Sequence, residues 1–308
     1  MKQILKSAAA LAAGFLAGLS FAGPATAQAE YAAIEADPAL WSISDSDSTV
    51  YLFGTVHFLP PELAWRSEAV DAALADAEIV YLETDALSPE AQAQMQRLIP
   101  QLGLNPPGTA LTGLISDAAL DDLAVVAGRL DLTPEALAAQ IDPLKPWLAS
   151  LMLAVRQIEA AGYDPQSGVE AKVTAAAQAA GKEFGYFETL EEQLRFFADL
   201  PLDVQIADFE VGLDQMVEEP ELLSEMVQAW AVGDTRTLDA AFNGAMRDSS
   251  AELYDAIIVQ RNRNWVPQIE AALASDRDVF VAVGAGHLPG EDGVIALLQA
   301  KGHAVTRR

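Results

Sequence analysis

Two apolar stretches of the chain end in the same polar pattern. The first, Thr49–His57, reads TVYLFGTVH, and the second, Val279–His287, reads VFVAVGAGH. β-branched and aromatic residues dominate both stretches, which favours strands. Each stretch closes with glycine followed three positions later by histidine, so each predicts a strand that ends at G-x-x-H.

A helical pattern and then another apolar strand follow each histidine. The first unit continues through RSEAVDAALADAE to IVYLETD, and the second continues through DGVIALLQAKG to HAVTR. Both units predict a β-α-β crossover with parallel strands. Ligands of open parallel sheets bind at the carboxyl ends of the strands. His57, His287 and Glu83, which ends IVYL, are therefore expected at one edge of the sheet.

The rest of the chain is predominantly helical. WSIS at 41–44 and TVYLF at 49–53 flank a polar turn and predict a β-hairpin, and residues 184–187 predict a further strand. From residue 88 to about residue 275 the spacing is otherwise that of helices, with Pro267 expected to kink or interrupt the last one. We therefore predict an α/β fold: a central mixed sheet built from two pseudo-duplicated β-α-β-containing halves, with a large helical insertion.

The first 27 residues have the features of a secretory signal peptide. A short basic segment with Lys2 and Lys6 precedes an apolar run, and Ala25-Thr26-Ala27 forms an A-x-A cleavage pattern. The apolar run is shorter than the roughly 20 residues of a spanning helix. We predict a signal peptide at 1–27, one domain at 28–308, a periplasmic or secreted location, and no stable membrane anchor.

Composition narrows the possible chemistry. The chain has no cysteine, so a metal site must use nitrogen and oxygen ligands. The net charge is −27, and removal of Lys2 and Lys6 with the signal peptide gives −27 − 2 = −29. Such an acidic chain is a poor match for nucleic acid and for anionic membrane surfaces.

Two histidines and a carboxylate at strand ends are suited to a divalent metal ion. His57, Glu83 and His287 would leave coordination positions open for water, whose pKa the metal would lower. The chain has three histidines in all. The third, His303, is interpreted as a turn residue. In the alternative interpretation, His57 and His287 bond loop backbone and Glu83 caps a helix or forms a salt bridge.

Three more charged residues are candidates for catalysis. Glu170, after Gly168, and Glu188, after the strand at 184–187, are candidates for a general base or for a carboxylate that supports a ligand. Arg261 lies in a helix with an apolar face, from which it could pair with Glu83 or Glu170, or bind a substrate carboxylate or an oxyanion. A surface arginine is the alternative.

Together these segments resemble the TraB/GumN family, which is related to the TIKI proteins. The matching pieces are VYLFGTVHFLP, VYLETD, SGVEAKVTAAAQAAGKEFGYFET, RNRNW and VAVGAGHLPGEDGVIALLQAKGHAV. The resemblance implies an α/β fold with pseudo-duplicated halves and, from the TIKI proteins, a peptidase that uses manganese or cobalt. It assigns His57 and His287 to the motif histidines, Glu83 to the motif glutamate and Arg261 to the motif arginine. Glu170 departs from the expected pattern, in which aspartate is common.

These observations predict an exported metal-dependent hydrolase, a peptidase whose nucleophile is metal-bound water. Manganese, cobalt or zinc would be held by His57, Glu83 and His287, with Glu170 and Arg261 in catalytic roles and a peptide or other small molecule as substrate. Two alternatives remain open. One is a metal-free hydrolase with a histidine general base beside a glutamate, as in erythromycin-esterase-like relatives. The other is a module that binds haem or another ligand without catalysis.

Overall fold

A six-stranded mixed sheet lies at the centre of the protein. The computed structural model of the chain describes residues 31–308. The order of the strands across the sheet is β4-β3-β5-β2-β1-β6. The strands are β1 (Leu40–Ser44), β2 (Thr49–Thr55), β3 (Ile79–Leu82), β4 (Glu183–Tyr186), β5 (Val279–Gly284) and β6 (Thr306–Arg307).

The four strands β2, β5, β3 and β4 run parallel to one another. β5 pairs with β2 on one side, with Thr55 opposite Gly284, and with β3 on the other, with Leu82 opposite Ala282. β3 then pairs with β4. β1 forms the predicted antiparallel hairpin with β2 and also pairs with the short strand β6. Because β5 comes from the C-terminal part of the chain, it places His287 between the strand ends that lead to His57 and Glu83.

Alternating side chains of the strands fill two separate hydrophobic cores. Phe53, Val80 and Phe280 belong to the larger core, on one face of the sheet. Leu52 and Val281, one position away, belong to the second core with Trp265. Strand side chains alternate between faces, so a sheet covered on both sides has strands that are apolar throughout. This explains the uninterrupted apolar run of β5.

Helices cover both faces, and most of them lie in the insertion between β3 and β5. Two of them begin with a Ser or Thr cap followed by proline, at Ser88 and Thr133. The helices are α1 (Glu68–Asp76), α2 (Pro89–Leu102), α3 (Asp117–Arg129), α4 (Pro134–Ile141), α5 (Pro146–Ala160), α6 (Val169–Ala179), α7 (Leu190–Ala198), α8 (Leu202–Glu218), α9 (Leu222–Ala231), α10 (Thr235–Asp239), α11 (Ala245–Ser249), α12 (Ala251–Tyr254), α13 (Gln260–Leu273) and α14 (Val294–Ala300).

The mixed α/β fold with a helical insertion is confirmed, and of the two effects predicted for Pro267 the interruption of the last long helix is absent. Pro267 lies inside α13 and does not end it. The irregular turn is instead the π-helical segment Asp255–Val259, directly before α13. The predicted signal peptide at 1–27 lies outside the described residues. Within residues 31–308, no helix has both the length and the apolar character needed to cross a membrane.

Candidate functional site

The carboxyl ends of the parallel strands bring the predicted site residues to one edge of the sheet. His57 follows β2, Glu83 follows β3, and His287 ends the short turn Ala285–His287 after β5. Glu188 joins them because the β3–β4 pairing continues past the strands: the Glu188 amide donates to the carbonyl of Glu83 at 2.9 Å. The pairing of strands in the sheet therefore brings together residues that are far apart in the sequence.

His57 forms a pair with Glu170. Its Nδ1 atom lies 2.9 Å from Glu170 Oε1, which also accepts a hydrogen bond from the Thr55 hydroxyl. Burial lowers the pKa of His57, but the nearby charges of Glu170 and Glu83 outweigh this effect and raise it above its ordinary value. The His57 side chain is 30% exposed. Glu170 Oε2 is buried without a hydrogen-bond partner among the described residues.

The start of α6 explains how Glu170 reaches His57. The amide of Val169 donates to the carbonyl of Val56 at 2.9 Å, which attaches the first turn of the helix to the end of β2. At Gly168 the two segments approach so closely that a Cβ atom would overlap the carbonyl oxygen of His57. Glycine is the only residue that permits this approach. Glu170 in the first helical turn then lies beside the imidazole.

Glu83 is held as a carboxylate. Its Oε1 atom accepts from the amide of Gly284 at 2.7 Å, and its Oε2 atom accepts from Arg261 Nη2 at 2.6 Å and from Gln193 Nε2 at 2.9 Å. Burial raises the pKa of Glu83, but the charge of Arg261 and the histidines His287 and His57 more than offset it and lower the pKa to about 2. Glu83 is therefore ionised at every physiological pH.

Arg261 is 3% exposed and uses all its N–H groups within the protein. Nε and Nη2 donate to the two oxygens of Glu188 at 2.8 and 2.9 Å, and Nη2 also donates to Glu83. Nη1 donates to the carbonyl of Ile257 at 3.4 Å and contacts His287 Nε2 at 3.0 Å. A guanidinium has five N–H donors. In this arrangement none is left for a substrate.

Glu188 completes the buried ion network. Besides Arg261, its Oε1 atom accepts from the indole nitrogen of Trp265 at 2.8 Å. Burial raises the pKa of Glu188, and Arg261 partly offsets that rise. Glu188 has no contact with His57, so the structure gives the two candidate carboxylates different surroundings: Glu170 lies beside an imidazole and Glu188 beside a guanidinium.

His287 is buried and neutral. Burial and the adjacent charge of Arg261 lower its pKa to about 3. Its ring contacts the ring of Trp265, with 4.4 Å between the centroids. Its Nδ1 atom lies 2.7 Å from Asn262 Oδ1. Sequence reasoning missed Asn262 as a site residue, although it directly follows Arg261 on the apolar face of α13.

The three predicted metal ligands, His57, Glu83 and His287, lie at one edge of the sheet, and Arg261 contacts both Glu83 and His287. His287 Nε2 lies 3.9 Å from Glu83 Oε1 and 3.0 Å from Arg261 Nη1. Metal ligation by that nitrogen would require Arg261 to leave. Across residues 31–308, no group of three or more His, Asp or Glu side chains is arranged to hold an ion. His57 and Glu83 are the possible ligands that Arg261 does not block, and Glu170 Oε2 is a buried acceptor on the residue that contacts His57.

Comparison with known protein families places the chain in one of them. The sequence model described as the TraB/PrgY/gumN family matches residues 39–307. Neither the curated proteins nor the solved structures gave a match. The matched range includes every residue of the site described above.

Proposed function

The chain belongs to the TraB/PrgY/gumN family, and from that premise we propose that it is an exported hydrolase of peptide or ester bonds in which His57 activates water as a general base. The observation that carries the proposal is the pairing of His57 with Glu170. A histidine whose Nδ1–H is held by a carboxylate presents Nε2 as the basic atom. His57 Nε2 forms no hydrogen bond with any residue in the described part of the chain.

Two carboxylates favour the proton transfer that this mechanism needs. When His57 Nε2 takes a proton from water, the imidazole becomes a cation. Glu170 stabilises that cation through a hydrogen bond, and Glu83 stabilises it through its charge, as the raised pKa of His57 indicates. The hydroxide formed would attack a carbonyl carbon, and His57 would return its proton to the leaving group.

Arg261 has a supporting role in this proposal. Its donors are occupied by Glu188, Glu83, Ile257 and His287, so it orients the Glu83 carboxylate and does not bind an oxyanion. Glu188 holds the guanidinium from the opposite side. A buried arginine with two carboxylates is well suited to such positioning because its planar donors fix several acceptors at once.

A metal-dependent form of the same hydrolase is the second candidate. The observation that favours it is again the contact between Glu170 and His57 Nδ1. Histidines that bind a metal through one ring nitrogen commonly donate the N–H of the other to a carboxylate. Manganese, cobalt or zinc would be held by His57 Nε2 and the Glu83 carboxylate. The bound ion would lower the pKa of water. Arg261 would still hold Glu83, and Glu170 would still orient His57.

Elemental analysis combined with hydrolysis assays separates these forms. The purified full chain and a His57→Gln variant are assayed on peptide and ester panels before and after exhaustive chelation, and metal content is measured in parallel. Hydrolysis that survives chelation and disappears in His57→Gln supports the general-base form. About one ion per chain, lost in His57→Gln together with hydrolysis, supports the metal form. Hydrolysis that persists unchanged in His57→Gln contradicts both.

A further inference from the structure

We infer that Asn262 is a positioning residue that fixes His287 as a hydrogen-bond acceptor for Arg261, so that the two G-x-x-H histidines have different roles. His57 is the reactive imidazole, whereas His287 is part of the frame that holds Glu83. This inference goes beyond the proposed hydrolase: it concerns how the site is held together, and it does not depend on which bond the protein cleaves.

The orientation of the Asn262 amide is determined by two carbonyl groups. Asn262 is 0% exposed, and its Nδ2 atom donates to the carbonyl of His287 at 3.2 Å and to that of Asp292 at 2.8 Å. A carbonyl oxygen only accepts hydrogen bonds, so the nitrogen of the amide must face both of them. Asn262 Oδ1 must then face His287 Nδ1, at 2.7 Å.

This orientation determines the tautomer of His287. An amide oxygen only accepts, so the hydrogen in the contact with Asn262 belongs to His287 Nδ1. In a neutral imidazole the other nitrogen, Nε2, then carries a lone pair. Arg261 Nη1 lies 3.0 Å from that nitrogen and can only donate. The contacts on the two sides of the ring therefore require the same tautomer.

The tautomer matters for Glu83 because Arg261 connects the two residues. If His287 carried its hydrogen on Nε2, that hydrogen would face an N–H of Arg261, and Nη1 would keep only the 3.4 Å contact with Ile257. The guanidinium would shift and its 2.6 Å contact with Glu83 would be disturbed. Asn262 thus acts on Glu83 through His287 and Arg261.

His57 has the opposite surroundings. Its Nδ1 atom faces the Glu170 carboxylate, and its side chain is 30% exposed, whereas the side chain of His287 is 6% exposed. No arginine contacts His57 within the part of the chain that the structure describes. The imidazole of His57 is therefore partly exposed and basic, whereas the imidazole of His287 is buried and both of its nitrogens have hydrogen-bond partners.

Nitrogen NMR on the full chain tests the inference without an activity assay. The protein is labelled with ¹⁵N-histidine, and long-range proton–nitrogen spectra are recorded at neutral pH, with assignment through His57→Gln and His303→Gln. We expect His287 to show a protonated Nδ1 and an unprotonated Nε2. In Asn262→Leu, which keeps the volume but removes the acceptor, we expect these two signals to move toward the values of mixed tautomers.

Two comparisons make the test specific. Asn264→Leu changes an exposed asparagine of the same helix and should leave the His287 signals unchanged. Arg261→Lys should leave the hydrogen on Nδ1 and shift the Nε2 signal. If Asn262→Leu fails to fold, a hydrogen on Nε2 of His287 in the unchanged protein would still overturn the inference.

Three results would overturn the inference: a hydrogen on Nε2 of His287 in the unchanged protein, unaltered His287 signals in folded Asn262→Leu, or a shift of the His287 nitrogens when zinc is added. A zinc shift confined to His57 agrees with it. Failure of the hydrolase proposal would appear as absent hydrolysis with the His287 spectrum as expected, so the two outcomes are distinguishable.

Discussion

Glu170 Oε1 lies 2.9 Å from His57 Nδ1 and connects the first turn of α6 to the loop after β2. This single contact gives His57 a defined tautomer and raises its pKa. It also depends on a close backbone approach at Gly168, so the chemistry of the imidazole and the packing of the helix are linked.

Replacing Glu170 with glutamine should weaken the base and change the pH dependence of activity. Without the carboxylate the pKa of His57 falls, so the acidic limb of the pH profile of kcat/KM should move to lower pH. The maximum value of kcat/KM in that profile should decrease by about 10²-fold, which is at the lower end of what general-base catalysis contributes. His303→Gln, at a histidine that contacts Glu270 away from the site, is the control. An unmoved acidic limb in Glu170→Gln would contradict the assigned pair.

Replacing Gly168 with alanine should reduce activity by displacing His57. The new Cβ atom would overlap the carbonyl of His57, so the start of α6 and the loop after β2 must separate. A loss of at least about 10²-fold in kcat/KM is expected, since small displacements of catalytic groups have effects of that size. Gly128→Ala, at an exposed glycine in α3 with open space around it, is the matched control. That control should be active and up to about 1 kcal/mol more stable.

Replacing Arg261 with methionine should destabilise the fold. It leaves Glu83 and Glu188 as buried carboxylates without their cation, and breaking a buried ion pair in this way costs roughly 3–5 kcal/mol. The free energy of unfolding is measured in urea for Arg261→Met and for Arg263→Met, the exposed arginine two positions later. The second variant should differ from the unchanged protein by less than about 0.5 kcal/mol. Equal stability of the two variants would show that the network contributes little.

Lowering the pH should reduce the free energy of unfolding, because Glu83 has a lower pKa in the folded state than in the unfolded chain. The pKa of Glu83 in the folded state, about 2, is lower than its reference value of 4.5. The unfolded chain therefore binds the proton first as the pH falls. The stability that Glu83 contributes is complete above about pH 4.5 and is lost as the pH decreases toward 2, on the order of 3 kcal/mol at most. Urea unfolding between pH 6 and 2 should show a shallower decline in Glu83→Gln than in the unchanged protein.

Local sequence patterns were sufficient for the outline of the fold. We predicted the strand that ends at His57, the crossover helix that follows it, and the strand that ends at Glu83. These elements are predictable because an apolar run or a helical spacing is visible within a few neighbouring residues. Parallel strands share one edge, so the convergence of His57, Glu83 and His287 followed from topology. The family was also identified from these segments, and the match over residues 39–307 confirms it.

The bonding inside the site was decided by tertiary structure. The sequence left Arg261 free to bind Glu83, Glu170 or a substrate, and the fold assigns it to Glu83 and Glu188 because those two strand ends are adjacent in the sheet. Asn262 lies in the RNRNW segment that carries the family resemblance, but it was assigned no role because the sequence does not show which groups surround it. Which partners surround a buried polar group depends on how distant segments pack, and that packing also gave the two similar histidines different surroundings.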